Sequence, residues 1–320
     1  MYDLIGDIHG YATPLKMLLN KLGYVERDGI WRHPGRKVIF LGDFIDRGPE
    51  QVETVRIART MVEAGQALAV MGNHEFNAVG WDTPHPDNPG QTLRPRSEKN
   101  RRQHREFLDQ VGENSRRHRE IIDWFKTLPL YLDLDGLRVV HACWHPGHLD
   151  NLAGCLDAGG RVLPKAWPEL HRKGTKSNEA VENILKGPEV RLPADSEFAD
   201  ADGHFRRNVR IQWWDAEGIT YRDLAIVPPE VIESIPHEPI VEDIVPEYAG
   251  DKPLFVGHYW LSGTPAPLTP HIACLDYSIA ATRGQSYQSH GILCAYRWQG
   301  ESILDPDNFL WVPGSAASRH

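Results

Sequence analysis

KVIFLGDFIDRGP, residues 37–49, joins an apolar run to a polar turn and ends on a proline that can start a helix. The apolar part is five residues long and stops at a glycine, which is typical of a strand buried on both faces. Similar apolar runs precede GDIHG, residues 6–10, and GNHE, residues 72–75. Each polar segment therefore follows a predicted strand and carries side chains that can bind metals.

Helical patterns separate these three predicted strands. Thr13 and Pro14 precede leucines at helical spacing and Gly23 follows them, as N-cap, first-turn proline and C-terminal glycine. A second helical pattern runs from Pro49 to Gly65. The order β-α-β-α-β predicts a parallel sheet. Because ligands bind where the carboxyl ends of such strands open onto a crevice, we expect all three polar segments to line one cleft.

Three later apolar runs are also followed by polar side chains. Residues 137–140, 253–256 and 271–275 precede His141, Gly257-His258 and Asp276 in turn. The chain then closes with a predicted hairpin of residues 291–298 and 302–304.

Two long segments interrupt the strand pattern, residues 80–125 and 146–252. The strand pattern resumes at once after the second of them. We therefore predict a single domain over residues 1–320, in which the two segments are insertions that form a lid over the cleft.

The composition is that of a soluble globular protein, with 41% hydrophobic and 25% charged residues and a mean hydropathy of −0.45. No apolar stretch approaches membrane-spanning length, and a strand pattern from residue 2 leaves no room for a signal peptide. We therefore expect a cytoplasmic protein with no membrane partner. The four cysteines form no C-x-x-C pair, which favours reduced, buried thiols.

The net charge of −9 argues against general nucleic-acid binding, which requires a basic surface. A basic segment from Arg94 to Arg119 is the local exception, with nine Lys and Arg against four acidic residues. We interpret it as the solvated face of a helix from about Ser97 to Gln110. The alternative is a lid that attracts a polyanionic substrate to the cleft.

The polar segments predict a two-metal hydrolytic site. Asp7 and His9 are two residues apart and can turn toward one ion, and Asp43 can bridge that ion to a second. The predicted metal ligands are Asp7, His9, Asp43, Asn73, His141 and His258. Two such ions about 3.5–4 Å apart would clamp a phosphoryl group, with a bridging hydroxide as nucleophile. Manganese is the ion expected in vitro, with iron or zinc as alternatives.

Three further residues have predicted catalytic roles. His74 is placed to protonate the leaving oxygen, Asp46 to hold that imidazole, and Arg47 to bind the phosphate oxygens. A single aspartate or histidine at a strand end is commonly structural. Five strand ends with such residues in one chain favour a site over that interpretation.

The segments GDIHG, GDFIDRGP, GNHE, HACW and FVGHYW together resemble the calcineurin-like metallophosphoesterases, and within them the phosphoprotein phosphatase branch. These segments span the chain from residue 6 to residue 260. The resemblance implies an α/β fold, a four-layer α/β/β/α sandwich with a two-metal site. It also implies the ligand set above, with His74, Asp46 and Arg47 in the roles already assigned.

Two departures bear on the branch and on phosphate binding. Many members of the superfamily end in Gly-His-x-His, whereas Trp260 stands at the second histidine position here. That arrangement is similar to the phosphoprotein phosphatase branch and to bacterial dinucleoside tetraphosphatases. The second phosphate-binding arginine of the family has no clear counterpart. The arginines near Trp213-Trp214 are Arg206, Arg207, Arg210 and Arg222. Of these four we choose Arg210 as the second phosphate-binding residue.

The predicted function is therefore a two-metal phosphoesterase similar to serine/threonine protein phosphatases. A dinucleoside polyphosphate hydrolase is the alternative, and a non-catalytic phosphate-sensing module is less favoured because no site residue is missing. The substrate is expected to be a phosphoprotein or a nucleotide, and the oligomeric state is left open. Four tryptophans in or near the insertions could stack a nucleobase, although burial in the core is the preferred interpretation for Trp144, Trp167, Trp213 and Trp214.

Overall fold

The computed structural model describes residues 1–199, 205–215, 217–240, 248–281 and 291–314. Its strands are β1 (Tyr2–Ile5), β2 (Val25–Arg27), β3 (Ile30–Arg32), β4 (Lys37–Phe40), β5 (Ala67–Ala69), β6 (Tyr131–Asp133), β7 (Arg138–Val140), β8 (Glu189–Arg191), β9 (Phe198–Ala199), β10 (Phe205–Arg206), β11 (Asn208–Arg210), β12 (Leu254–Val256), β13 (Ile272–Cys274), β14 (Asp276–Tyr277), β15 (Ile292–Trp298) and β16 (Phe309–Pro313). Its helices are α1 (Ala12–Lys21), α2 (Gln51–Glu63), α3 (Asn73–Asp82), α4 (Glu98–Val111), α5 (Arg116–Phe125), α6 (Pro146–Leu152), α7 (Trp167–Leu170), α8 (Lys176–Lys186) and α9 (Tyr221–Leu224). Within these ranges, no helix has the length and apolar character needed to cross a membrane.

The predicted β-α-β-α-β unit is present at the start of the chain. β1 pairs in parallel with β4, and β4 pairs in parallel with β5, with α1 and α2 in the connections. β15 adds to the other side of β1 in antiparallel orientation and also pairs with β14 and β16. The carboxyl ends of β1, β4 and β5 therefore lie at one edge of this sheet.

A second open sheet has the strand order β13-β12-β7-β6. β7, β12 and β13 are parallel, and β6 pairs with β7 in antiparallel orientation. The three runs that the sequence predicted before His141, His258 and Asp276 are thus neighbours in one sheet. Their carboxyl ends also share one edge.

The two sheets pack face to face, with helices on their outer faces. Leu4 and Ile39 of the first sheet lie in one apolar core with Val139 and Phe255 of the second. Ile5, on the opposite face of β1, lies in the core that α1 and α2 cover, and α6 and α8 cover the second sheet. Full burial of each such side chain contributes roughly 1.5–3 kcal/mol, and the alternation of faces holds the register. The fold is an α/β sandwich of four layers, as predicted.

Two local predictions were wrong. α1 begins at Ala12 after Tyr11, and Thr13 does not cap it. Thr13 instead donates from its N–H and its hydroxyl to the Glu50 carboxylate, at 2.8 and 2.7 Å, because α2 starts beside it. The closing hairpin pairs β15 with β16, and residues 302–304 lie in the loop between these strands. The Tyr296 hydroxyl holds that loop by accepting from the Asp305 N–H at 2.9 Å.

The two insertions differ in how they pack. In the first, α4 contacts α2 and α5 contacts α3. In the second, α6 to α8 join the main core, whereas the described part beyond residue 188 has a small apolar core of its own, which includes Val190, Val209 and Leu224. The single-domain organisation with a lid stays a prediction.

Candidate active site

The polar segments leave their strands with unusual backbone angles. Positive φ angles of 48–73° occur at five non-glycine residues of these segments, namely His9, Asp43, Asp46, Arg47 and His258. A residue in this region costs roughly 1–3 kcal/mol and persists only where its surroundings hold it. The turns therefore aim these side chains into the space between the two sheets' carboxyl ends at some cost in stability.

Glycines in the same segments let the acidic side chains approach closely. A Cβ on Gly72 would lie 2.2 Å from Asp43 Oδ1, and a Cβ on Gly257 would lie 2.1 Å from Asp7 Oδ1. Both distances are far below van der Waals contact. Only glycine leaves room for these carboxylates at these positions.

Asp43 connects two groups of candidate metal ligands. Its Oδ2 lies 3.3 Å from His141 Nε2, 3.8 Å from His9 Nε2 and 3.9 Å from His74 Nε2. His9, Asp43 and His74 form one group of ligand atoms within 4.8 Å of one another, and Asp43, His141 and His258 form another. A carboxylate shared by two such groups can bridge two cations.

The imidazoles are turned so that their second nitrogens face this space. His9 Nδ1 donates to the Ile45 carbonyl at 3.0 Å, and His141 Nδ1 donates to the Leu41 carbonyl at 2.7 Å. Backbone bonds of this kind select the tautomer whose Nε2 lone pair is available to a metal. Burial lowers the pKa of His9 to about 3, which also favours its neutral form.

Several buried polar atoms here lack a hydrogen-bond partner within the described residues. They are Asp7 Oδ1, His9 Nε2 and His258 Nε2. Orphaned buried acceptors are rare in proteins and carry a cost unless something satisfies them. Two cations bound around Asp43 would satisfy these atoms, so the residues present fit a two-metal site.

The remaining predicted ligands lie at the same place. Asp7 Oδ2 accepts from the His258 backbone N–H at 3.1 Å, and Asn73 Oδ1 lies 3.2 Å from His141 Nε2. Burial raises the pKa of the Asp7 carboxyl well above its usual value, and Asp276 adds to that shift. A nearby cation would oppose this rise in the pKa of Asp7. The structure thus brings all six predicted metal ligands together.

His74 and Asp46 form a hydrogen-bonded pair beside this group. His74 Nδ1 lies 2.5 Å from Asp46 Oδ2. Although burial opposes the shift, the Asp43 and Asp46 carboxylates raise the pKa of His74. A protonated imidazole at the edge of the metal group has the charge state that a general acid needs.

His104 is a site residue that the sequence did not indicate. Its Nδ1 donates to Asp46 Oδ1 at 2.7 Å, so Asp46 lies between two imidazoles. Although burial opposes the shift, His104 and then His74 hold the pKa of Asp46 well below its usual range. The available signal was that His104 shares the buried face of α4 with Phe107, Leu108 and Val111.

Glu75 and Arg47 complete the site. The Glu75 carboxylate accepts from the backbone N–H groups of Asp43 and Phe44, each at 2.8 Å, and from Gly72 at 3.0 Å. It thereby ties the second polar segment to the third. The Arg47 guanidinium carbon lies 4.2 Å from the centre of the Trp260 ring, a cation–π contact, and Arg47 lines the cleft described next.

A cleft of about 1520 Å³ opens beside these groups, lined by Asp46, Arg47, Asn73, His74, His104 and His258 and by residues of both insertions. Basic side chains predominate among its described lining residues. These are Arg47, Arg94, Lys99, Arg102, Lys173, Lys186, Arg206 and Arg210, against Asp46, Glu106 and Glu182. The basic segment therefore does not form a uniformly solvated face, because Arg94, Lys99 and Arg102 face the cleft.

The four arginine candidates near Trp213 divide into two pairs. Arg210 and Arg206 line the cleft, and Arg210 Nη2 also lies 3.3 Å from Glu189 Oε1. Arg207 and Arg222 do not line it, and they lie 3.6 Å from Glu197 and 2.8 Å from Glu233. The geometry is compatible with the choice of Arg210 and does not exclude Arg206.

The four tryptophans in or near the insertions do not form a stacking platform in the cleft. Trp144, Trp167 and Trp213 are 7%, 4% and 1% exposed. Trp214 is half-buried and packs edge-on against Tyr259. They belong to the core, as the preferred interpretation held.

Comparison with known proteins places these features in a family. The family model described as calcineurin-like phosphoesterase matches residues 2–215. The chain is 30% identical over 168 residues to bis(5'-nucleosyl)-tetraphosphatase PrpE (asymmetrical) of Oceanobacillus iheyensis, a match that covers 48% of this chain and 59% of the relative. It is 45% identical over 74 residues to the protein of the same name from Halalkalibacterium halodurans, covering 23% and 30%. The matches thus cover between about a third and three fifths of the length of these relatives.

Among solved structures, a protein serine/threonine phosphatase from Saccharomyces cerevisiae is similar to this chain. The identity is 14% and the TM-score is 0.48, over 100% of this chain and 81% of that one.

Proposed function

The chain belongs to the calcineurin-like phosphoesterase family, and we propose that it hydrolyses a phosphoanhydride bond of a nucleotide polyphosphate with two metal ions. The observation that carries the proposal is the Asp43 carboxylate, which lies between two groups of histidines at the end of a basic cleft. The family makes the chain a metal-dependent phosphoester hydrolase. The substrate and the residue roles are the proposed part.

Two ions would be held around Asp43. Asp7 and His9 would bind one, and Asn73, His141 and His258 would bind the other. Such ions supply Lewis acidity and activate water at neutral pH. Arg47, which contacts the Trp260 ring, would bind oxygens of the reacting phosphoryl group.

His74 is proposed to donate a proton to the leaving oxygen. Asp46 accepts a hydrogen bond from His74 Nδ1, which directs Nε2 toward the Asp43 side of the cleft. His74 lies in one of the two candidate ligand groups, so the proposal assigns it to the acid role and not to a metal.

Two observations support a nucleotide polyphosphate. The curated relatives above are named as bis(5'-nucleosyl)-tetraphosphatases. The described lining of the cleft carries more basic than acidic side chains although the chain as a whole is acidic, which suits a substrate with several phosphates. Both insertions contribute these cations, which supports their proposed role as a lid.

A phosphoserine or phosphothreonine protein is the second candidate. The five segments that resemble the phosphoprotein phosphatase branch support this candidate. Trp260 does not separate the two candidates, since its arrangement is similar to both the phosphoprotein phosphatase branch and bacterial dinucleoside tetraphosphatases.

The test is a panel of substrates with the manganese-loaded protein. We expect kcat/KM for diadenosine tetraphosphate to exceed that for a phosphoserine peptide, a nucleotide monophosphate and an aryl phosphate by at least about tenfold. The variant His74→Asn tests the acid role separately. It should keep two ions per chain while turnover falls by about 10²–10⁴-fold. A higher kcat/KM for the phosphopeptide would transfer the proposal to the second candidate. Loss of metal from His74→Asn would make His74 a ligand.

A further inference from the structure

Arg94 is a half-buried cation without an acidic partner in the described part of the chain. Its Nη2 donates to the side-chain amides of Asn100, at 3.2 Å, and Gln103, at 3.0 Å. A guanidinium removed from water ordinarily pairs with a carboxylate. Neutral amides hold this one in place, and the carboxylates of Asp46 and Glu182 act on its charge only from beyond ion-pair distance.

The position of Arg94 is fixed from both sides. Its backbone N–H donates to the Gly80 carbonyl at 2.9 Å, and its own carbonyl accepts from the Thr92 hydroxyl at 2.8 Å. Asn100 is itself held, because its side-chain amide donates to the Pro95 carbonyl at 2.8 Å. The side chain is therefore oriented before any ligand arrives, which reduces the entropic cost of binding one.

Arg94 keeps donors for a ligand. A guanidinium carries five N–H groups, and the two bonds to the amides both use Nη2. The Nε and Nη1 groups make no hydrogen bond to a described residue and are not shut away from solvent. Since Arg94 lines the cleft, these donors are accessible to an anion there.

Helix α4 connects Arg94 to the catalytic pair. Gln103 bonds to Arg94, and its neighbour His104 bonds to Asp46. Burial lowers the pKa of Arg94, whereas the field of Asp46 opposes that shift, which is consistent with their proximity. With His74 as the proposed acid and Asp46 bonded to it, the proximity of Arg94 to Asp46 places Arg94 on the leaving-group side. Lys99 and Arg102 of the same helix line the cleft too, and neither has a carboxylate within 4 Å among the residues described.

We propose that Arg94, supported by Lys99 and Arg102, binds a phosphoryl group in the leaving part of the substrate. The leaving group is then a phosphate chain and not the alcohol of a serine or threonine. In the balanced reaction, the anhydride P–O bond breaks as the oxygen of water bonds to phosphorus. The water releases one proton to solvent, His74 gives one proton to the leaving oxygen and is reprotonated from solvent, and Arg94 offsets the remaining charge of the leaving phosphate. The inference rests on the proposed function and names the side of the cleft that recognises a polyphosphate.

Competition against aryl phosphate hydrolysis tests this subsite. The probes are inorganic tripolyphosphate and orthophosphate, with the manganese-loaded full chain and constant free Mn²⁺. We expect Arg94→Gln to raise the Ki of tripolyphosphate by about tenfold or more, as for loss of a charged hydrogen bond, and the Ki of orthophosphate by less than about threefold. Arg94→Lys should retain part of the preference. Arg105→Gln is the matched control, because Arg105 is an exposed residue of α4 outside the cleft.

The outcomes separate binding from a merely structural role. If Arg94→Gln weakens both probes equally, or neither, the subsite does not exist and Arg94 only joins α3 to α4. If Arg94→Gln does not fold, as judged by circular dichroism, Arg102→Gln replaces it and should weaken tripolyphosphate alone by about threefold. Should the natural sequence fail to cleave diadenosine tetraphosphate while tripolyphosphate still competes through Arg94, the proposed function falls and the subsite stands.

Discussion

The backbone and side-chain bonds of Asp43 fix its carboxylate so that one oxygen accepts a hydrogen bond and the other faces both candidate ligand groups. Its backbone has φ 49°, and its N–H donates to Glu75. Oδ1 accepts from the His74 backbone N–H at 3.0 Å, which fixes the plane of the carboxylate. Oδ2 is left facing the imidazoles of both ligand groups. The strained turn, and not the side chain alone, places the Asp43 carboxylate between the two candidate ligand groups.

Substitution of His104 tests the assignment of His74 as general acid, because both imidazoles bond to Asp46. His104 Nε2 is buried without a partner in the described chain, and His104 Nδ1–H donates to Asp46. His104→Leu removes this donor and lets Asp46 and His74 shift. We expect kcat for substrates with a poor leaving group to fall by about tenfold or more, and kcat for a good aryl leaving group to fall much less, because the latter needs little protonation.

Two variants control this prediction. His104→Asn keeps an N–H donor near Asp46 and should restore most of the leaving-group tolerance. His118→Asn changes a buried histidine that packs on the same Phe107 ring without touching the site. An equal fall for all substrates in His104→Leu would show that His104 only supports packing.

At the scale of elements, the ends of strands and the starts of helices build the site together. β5 leads through Gly72 into α3, whose first turn carries Asn73, His74 and Glu75. The Glu75 carboxylate caps its own helix and also holds the turn after β4. A change in one turn is therefore passed to the other.

Gly72→Ala tests this coupling. Its Cβ would lie 2.2 Å from Asp43 Oδ1 and 2.5 Å from the Asp43 backbone nitrogen, so the turn after β4 must move. We expect a loss of about 1–3 kcal/mol of unfolding free energy and weaker metal binding. Gly154→Ala is the control, because nothing lies within 4 Å of its Cβ and its φ is not positive. Thermal unfolding and metal content measure both effects, and unchanged metal content in Gly72→Ala would contradict the coupling.

The sequence predicted the bounds of α4 to within one residue, but it did not predict that α4 contributes side chains to the cleft. The expected helix from Ser97 to Gln110 is Glu98–Val111, with the Ser97 side chain accepting from the Asn100 N–H. Cap chemistry and amphipathic spacing are local, so the sequence reveals them. Which elements the helix packs against is not local, and that contact brings His104 and Gln103 to the cleft.

For the whole molecule, the distribution of charge matters more than its sum. The chain carries a net charge of −9, but the cleft beside the candidate metal group is lined mainly by basic side chains. An acidic exterior does not attract polyanions, whereas a basic concave surface concentrates its field on them.

This distribution predicts a salt effect that depends on the substrate. Raising the ionic strength from about 20 to about 200 mM shortens the range of the field from roughly 20 to 7 Å. We expect KM for diadenosine tetraphosphate to rise by about tenfold, and KM for an aryl phosphate by less than about threefold. Steady-state kinetics at constant free Mn²⁺ measure both, and equal changes would show that the distal cations do not contact the substrate.

The parallel sheet and the six candidate ligands follow from the sequence, because apolar runs, helix spacing and glycine turns are short-range patterns. Within each sheet their proximity followed from one rule, that parallel strands end at a common edge. The packing of the two sheets brought His141 and His258 to the other four ligands. Packing between distant segments decided the rest. His104 reaches the cleft because α4 lies against α2, and Arg94 reaches it because its backbone is bonded to Gly80. Trp144, Trp167 and Trp213 lie outside it because the core buries them. Such contacts depend on the summed burial of many side chains far apart in the chain, which no local pattern of residues encodes.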